Sequence, residues 1–558
     1  MRLKYKIGTA ATVAFAVVIL FAFALAQRPN DSIYSLVKLS SDIAFKINAR
    51  YVDEIDVQKL VYSGVRGMLE TLDPFSEFLE KSDYDMLMEA TSGKYSGLGM
   101  TIFLKDTWVT IMAPMEGMPA YRMGLRSGDR ITQIDGQSTK GMTTQEASKL
   151  MRGEAGTKVS LSIMREGVAE PLEYTIERAL ITIKTVPFSG VIDRDGRRIG
   201  YIRLSRFGEE ADSELDGAIQ NMAKENVDGL IFDLRSNGGG LLSQAVIVSN
   251  YFLSKGADIV YTKGRTSDQN NTHYATRDPH LPEVPLVVLV NEMSASASEI
   301  VAGAIQDSDR GVIIGNTTFG KGLVQQVYTL TEGTALKLTT AKWYVPSGRC
   351  IQKNARSTRH PENLEETEAD SAEVDSTALE VFHTKGGRIV YGGGGITPDI
   401  IVEPVKLSAL EINLERLSTF FDYAIRYSTS HPDLKPDFEV TDAMVSEFRE
   451  FLKEKDFTYK NEMESKLEEL EKVAKDKDND PAVVAEIEKL RGVITSHKET
   501  EFTASLDYIK RSIKRDILTR LYGESEVYQQ VVLKDDPYIS KAFSILTSPT
   551  EYAGILGG

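Results

Sequence analysis

Between residue 31 and about residue 90, apolar positions recur every three or four places, as in IYSLVKLSSDIAFKI and VQKLVYSGVRGMLETL, and predict helices. The stretch LDPFSEFL interrupts them at Asp73 and Pro74. From Tyr95 the spacing changes to short β-like runs, GLGMTIFL, WVTIMAP, DRITQIDG and KVSLSIMREG, with one helical stretch, TTQEASKLMRG, among them. A small β-rich domain ending near Glu177 is expected. From RRIGYIRLSRF onward strands alternate with helices: GLIFDLR, LLSQAVIVSNYFL, PLVVLVN, SEIVAGAIQ and GVIIG. That alternation predicts an α/β layer fold. Residues 354 to about 382 are acidic with few aromatics and predict a solvated, disordered loop. After ITPDIIVEP the chain turns helical and charged, and EMESKLEELEKVA with DPAVVAEIEKLRGVI predicts a helical hairpin.

A chain of 558 residues exceeds one core, so three or four domains are expected. The formal net charge of −16 argues against nucleic acid as a partner, because phosphate binding needs clustered Lys and Arg. The single cysteine, Cys350, follows the turn VPSGR and reads as a small packed residue; it excludes an intramolecular disulfide, CxxC redox motifs and Cys-rich zinc sites. The six histidines are scattered without ligand spacing, so neither metal nor cofactor is expected. At the N-terminus, MRLKYKIG carries Arg2, Lys4 and Lys6 ahead of an uncharged, mostly apolar run from Ile7 to Ala26. This reads as a targeting segment, residues 1–27. ALAQ, Ala24 to Gln27, suits a cleavage site, yet about twenty residues also suffice to span a bilayer. A cleaved signal and a retained anchor both stay open. In either case the body is expected to be exported to the periplasm or another extracytoplasmic space, held in the inner membrane if the segment is kept.

Three serines alternate in VNEMSASASE, between a buried-type strand and a helix. Ser296 and Glu299 make an S-x-x-E capping box, which alone explains a serine there. A serine at a helix N-terminus is also exposed beside free backbone N–H groups that stabilise an anion. A nucleophilic serine needs a base. His273 and His280 lie in a loop with no supporting motif, whereas TTFGKGLVQQ supplies Lys321 between two glycines. A lysine whose ammonium is disfavoured by burial can act as that base. The loop DLRSNGGGLL lets backbone amides approach a substrate carbonyl. Each feature alone has a plain structural reading: a cap, a turn lysine, a permissive connection.

Taken in order, DLRSNGGGLL, SASASEIVAGAI, TFGKGLVQ and YVPSGRCIQ resemble the carboxyl-terminal processing peptidases, PDZ-containing serine proteases with a Ser–Lys dyad. The resemblance extends upstream to GMLETLDPFS and covers roughly residues 35 to 405. It implies Ser296 as nucleophile, Lys321 as base and Gln325 as the residue that orients the lysine. The implied oxyanion donors are the amides of Ala297 and, within Gly238–Gly240, Gly239. Many members carry proline where this chain has Gly238. The implied fold is multidomain α/β: a crotonase-like β-β-α protease core over 179–405, with the acidic loop 354–382 inside it. An inserted PDZ domain spans 95–178, and helical regions occupy 31–92 and 406–558.

Residues 95 to 177 resemble a PDZ domain, with SGLGM matching the carboxylate-binding loop and MGLRSGDRITQIDG a typical turn and strand. Gly97, Leu98 and Gly99 would receive a peptide's terminal carboxylate, and Leu98, Met100 and Ile102 would line a pocket for an apolar last residue. The expected substrates are therefore polypeptides with apolar C-termini. The expected function is exported serine endopeptidase. The alternative is a catalytically silent PDZ scaffold that binds C-terminal tails; a crotonase-type acyl-thioester enzyme needs neither PDZ module nor export signal. The helical ends are candidates for homo-oligomerisation or adaptor docking, and the N-terminal segment for membrane contact if uncleaved.

Overall fold

The computed structural model describes residues 31–353, 380–477 and 481–557. The expected targeting segment and nearly all of the acidic loop lie outside them. Among the described residues no helix is long and apolar enough to cross a membrane. The described residues fall into two compact units, those up to Tyr84 with Gln325–Thr339, and those of Asp85–Val324 with the described residues from Thr340 onward.

In the first unit, helices Asp31–Arg50 and Val57–Leu69 follow the three- and four-residue periodicity. Asp56 starts the second by accepting from the Lys59 N–H at 3.0 Å. The break at Asp73 and Pro74 is a built turn. The Asp73 carboxylate accepts from the N–H groups of Phe75 (2.8 Å) and Ser76 (2.9 Å) and from the Ser76 hydroxyl (2.8 Å). The turn delivers strand Glu77–Leu79 antiparallel to the start of Ala335–Tyr344, with Phe78 opposite Leu336.

The second unit is organised by a six-stranded sheet. Phe188–Arg194 pairs antiparallel with Arg197–Arg203; then Gly229–Asp233, Leu286–Val290, Val312–Gly315 and Ile400–Ile401 follow in parallel. The central strands GLIFD and LVVLV are buried at every position, which is why they read as continuous apolar runs rather than alternations. On one face lie helices Ala211–Lys224, Leu242–Ser249 and Ala297–Asp307, around Phe207, Phe232 and Trp343. The other face is closed by the C-terminal end of the chain. Helix Pro537–Leu546 buries Ile539, Ala542 and Ile545 against Tyr201, Ile231 and Leu289.

The β-rich segment forms its own sheet, Met100–Lys105, Trp108–Pro114, Arg130–Ile134, Lys158–Met164 and Leu172–Glu177, around Val109, Ile111, Ile131 and Leu161. Met100–Lys105 is an edge strand. Helices Ala409–Arg416, Thr419–Ser430, Asp442–Glu454 and Leu506–Tyr522 share a core of Leu414, Phe420, Tyr423, Phe448 and Ile513. Helices Glu462–Lys477 and Pro481–Ala504 form the hairpin that periodicity predicted, joined through Leu467, Ile487 and Ile494. Lys105 pairs with Asp422, and the Phe103 ring meets Phe421 edge-on at 5.2 Å, so the β-rich segment rests on this helical bundle.

Candidate active site

The three alternating serines have different fates. Ser294 is fully buried and its hydroxyl donates to the Leu234 carbonyl at 2.8 Å. Ser298 is fully buried too, donating to the Asn237 carbonyl at 2.8 Å. Ser296 alone is half-exposed, at the N-terminus of helix Ala297–Asp307, and its hydroxyl makes no cap hydrogen bond. The capping box is held by its other half, with the Ser296 N–H donating to Glu299 Oε2 at 2.8 Å. The Glu299 N–H turns instead to the Ser296 carbonyl, 2.9 Å away.

Ser296 also has a backbone that side-chain-bearing residues seldom adopt, φ 55° and ψ −111°. Such a conformation costs about 1–3 kcal/mol and persists only where surroundings enforce it. Glu299 is the enforcing group. It is fully buried and accepts four hydrogen bonds: from the Ser296 N–H, from the Thr318 hydroxyl (2.5 Å), and from the N–H groups of Gly320 (2.7 Å) and Lys321 (2.9 Å). Burial holds its carboxyl above the ordinary value, and these four donors offset only part of that rise. Ser296 and Lys321 donate to the same oxygen atom, so one carboxylate holds the serine turn and the lysine loop together. The Phe319 N–H adds a bond to the Ser294 carbonyl at 3.0 Å. The Lys321 side chain is half-buried.

The glycine loop closes on the same turn. Gly239 has φ +98°, and a Cβ there would fall 2.7 Å from the Ala295 carbonyl oxygen, 2.9 Å from Ser296 Cβ and 3.0 Å from the Ala297 nitrogen. Only glycine fits so close to the serine. At Gly238 a Cβ would meet nothing within 4 Å, so that position accommodates a side chain. The Ala295 N–H donates to the Asn237 carbonyl at 3.1 Å, and the Gly239 N–H donates to Asn237 Oδ1 at 2.9 Å. Ala297 is the first residue of its helix, where an N–H has no intrahelical partner.

Behind the loop stands a buried ion cluster. The Asp233 carboxylate accepts from Arg203 (2.8 Å), Arg235 (2.6 Å) and the Tyr201 hydroxyl (2.7 Å). Burial alone would raise this carboxyl, but the Arg235 and Arg203 guanidiniums override it and hold it down to about 2. Among the described residues no group of three or more His, Cys, Asp or Glu is arranged to hold a metal ion.

Thus Ser296, Ala297, Gly239 and the Lys321 backbone are gathered around one helix N-terminus. Gln325 belongs to the first unit, where its side-chain amide donates to the Phe75 carbonyl at 2.5 Å. In the β-rich segment, Gly97 ends strand Lys94–Gly97, paired opposite Ala179. Leu98 is buried in the segment's core, and Met100 and Ile102 are half-buried against it. Gly99 has φ +73°, and a Cβ there would sit 2.4 Å from Met118 Cβ. Met100–Lys105 follows with its outer edge unpaired, beside helix Thr144–Met151. Sequence reasoning missed the reach of Glu299, for which the capping box was the signal, and the roles of Asn237 and Asp233, both within DLRSNGGGLL.

Residues 198–358 match peptidase family S41, residues 110–165 match a PDZ domain, and residues 410–546 match the C-terminal helical domain of probable PDZ-proteases. The chain is 39% identical over 341 residues to a carboxy-terminal-processing protease of Bartonella bacilliformis, covering 60% of this chain and 77% of that protein. It is 39% identical over 295 residues to a carboxyl-terminal-processing protease of Synechocystis, covering 52% and 68%. A carboxy-terminal processing protease of Bacillus subtilis is 37% identical over 309 residues, covering 55% and 65%. Among solved structures, a photosystem II D1 C-terminal processing protease covers 67% of this chain and 89% of its own at 29% identity, with a TM-score of 0.37. The chain belongs to the carboxyl-terminal processing protease family, serine-type peptidases of family S41 that carry a PDZ domain.

Proposed function

We propose that the protein is an exported endopeptidase that captures apolar C-termini on its PDZ domain and cleaves by a Ser296–Lys321 dyad. The observation that carries the reading is Ser296 itself: half-exposed and at positive φ, while both neighbouring serines are buried and bonded. Strain of this kind concentrates where a nucleophile must project from a strand-to-helix turn.

In this reading Ser296 Oγ attacks the scissile carbonyl carbon and neutral Lys321 Nζ takes the hydroxyl proton. The N–H of Ala297 holds the oxyanion, joined by that of Gly239 as it gives up Asn237 Oδ1. Collapse expels the amine, which leaves with the proton from Lys321. Water then attacks the acyl-enzyme ester, again losing its proton to the lysine; the ester C–O bond breaks, Ser296 Oγ takes that proton back, and both serine hydroxyl and neutral lysine are regenerated. Gln325, four positions beyond Lys321 in the chain, is assigned to orienting the lysine. The unpaired edge of Met100–Lys105 supports the capture step, since a peptide end can add there as a strand with its carboxylate on the Gly97–Gly99 amides. Export rests on the N-terminal basic and apolar run.

The test uses residues 28 to 558 with an unstructured polypeptide ending in apolar residues, and product mass spectrometry. Cleavage by the parent and none by Ser296→Ala or Lys321→Ala is expected, with a rate that rises from neutral to mildly alkaline pH. A flat or falling profile counts against a lysine base. Equal cleavage by Ser296→Ala sinks the dyad.

A further inference from the structure

The two loops that assemble the site share a support outside the protease strands and helices. Asp536 is the N-cap of helix Pro537–Leu546, and its Oδ1 accepts from the N–H groups of Tyr538 (2.8 Å) and Ile539 (3.2 Å). Its Oδ2 accepts from Arg235 at 2.8 Å, in a pair whose side chains are 15% and 18% exposed. The Arg235 guanidinium lies over the Tyr538 ring, 4.9 Å from the centroid. Arg235 directly precedes Ser236 and Asn237, and Asn237 carries the bonds to Gly239, Ala295 and Ser298. Two residues along the same helical turn, the Tyr538 hydroxyl donates to Asn316 Oδ1 at 2.7 Å. Asn316 opens the loop that carries Thr318, Gly320 and Lys321, and its own N–H is tied to the Val290 carbonyl at 3.2 Å. One turn of helix therefore grips the glycine loop through Asp536 and the lysine loop through Tyr538.

We infer that this turn of the C-terminal helical domain is a positioning element of the protease reaction, with Asp536 setting the oxyanion loop and Tyr538 the lysine loop. The inference rests on the dyad reading above. Asp536 divides its two oxygens between cap and arginine, so Asp536→Asn keeps a good cap and loses the acceptor facing Arg235. Displacement of a reacting group by a fraction of an ångström lowers turnover while leaving binding intact.

The experiment measures kcat and KM on an apolar-tailed polypeptide for the full chain, Asp536→Asn, Tyr538→Phe and Ser296→Ala, with thermal melting of each. Asp536→Asn is expected to lower kcat about tenfold with KM within about twofold and melting nearly unchanged. Tyr538→Phe, which removes one hydroxyl, is expected to move the rising limb of the pH–rate profile to higher pH. A loosened lysine loop admits water and favours the ammonium. The Asp536→Asn limb stays in place. If kcat of both variants is within about twofold of the parent, or falls only as the folded fraction falls, the positioning role is overturned. If Ser296→Ala itself turns over, the dyad reading fails and takes this inference with it; an inactive Ser296→Ala beside fully active Asp536→Asn and Tyr538→Phe defeats the inference alone.

Discussion

The serine turn and the Gly97–Gly99 loop of the PDZ domain use the same material in different surroundings. Each places glycine at positive φ against a close neighbour, Gly239 against Ser296 and Gly99 against Met118. They differ in what lies behind them. The serine turn is backed by two buried carboxylates, Glu299 with four donors and Asp233 with two guanidiniums and a phenol. The PDZ loop leads into a strand with an unpaired edge. The strained serine turn is clamped from inside. The PDZ loop is left open on one side. In the proposed reading, preorganisation is concentrated where bonds break and not where tails are caught.

The strongest way to break this contrast is Glu299→Gln. An amide retains one acceptor oxygen but turns an NH₂ toward N–H donors, so the serine turn and lysine loop lose their common anchor. A fall in kcat of about 10³-fold is expected, and activity within tenfold of the parent would show the clamp to be dispensable. Next comes Asp233→Asn, which leaves Arg203 without its counter-charge and Arg235 with Asp536 in place of two carboxylates, and should cost about 3 kcal/mol in denaturant unfolding. Because Asp233 is held near 2 when folded, below its ordinary 3.8, it stabilises the parent by about 2 kcal/mol above that ordinary value. That contribution disappears as pH falls from about 4 toward 2, so the variant should show a shallower acid limb.

On the open side the effects should shrink. Gly99→Ala is expected to weaken tail-peptide binding about tenfold, with kcat at saturating substrate nearly unchanged, as titration and steady-state kinetics would show. A loss confined to kcat would place the PDZ loop in the chemical step. Gly238→Ala, one residue from the tightest contact in the site, should leave kcat within about twofold, because its Cβ enters open space.

Much of this was legible in the chain. Periodicity located the strands GLIFD and LVVLV, the helix that follows Ser296 and the C-terminal hairpin, because burial leaves its mark at fixed spacing. The Ser296–Glu299 spacing announced a cap. It could not announce that Glu299 would spend its other lone pairs on Thr318, Gly320 and Lys321, since those partners meet it only through the parallel sheet. For the same reason nothing local in PYISKAFSIL says what its apolar side chains cover. The assignment of Gln325 came from resemblance; its observed bond to Phe75 connects strand to turn across 250 positions and leaves no local trace.

The closure of the sheet's second face by Pro537–Leu546 has a consequence in time. During synthesis every strand of the six-stranded sheet is made before its cover exists, and Tyr201, Ile231, Val287 and Leu289 lack the helix that covers them until residues near 540 emerge. Each such side chain forgoes about 1.5–3 kcal/mol while it waits in water. The protease core cannot finish folding from its N-terminal side, so a partly synthesised chain carries a sheet still bare on the face that Pro537–Leu546 will cover.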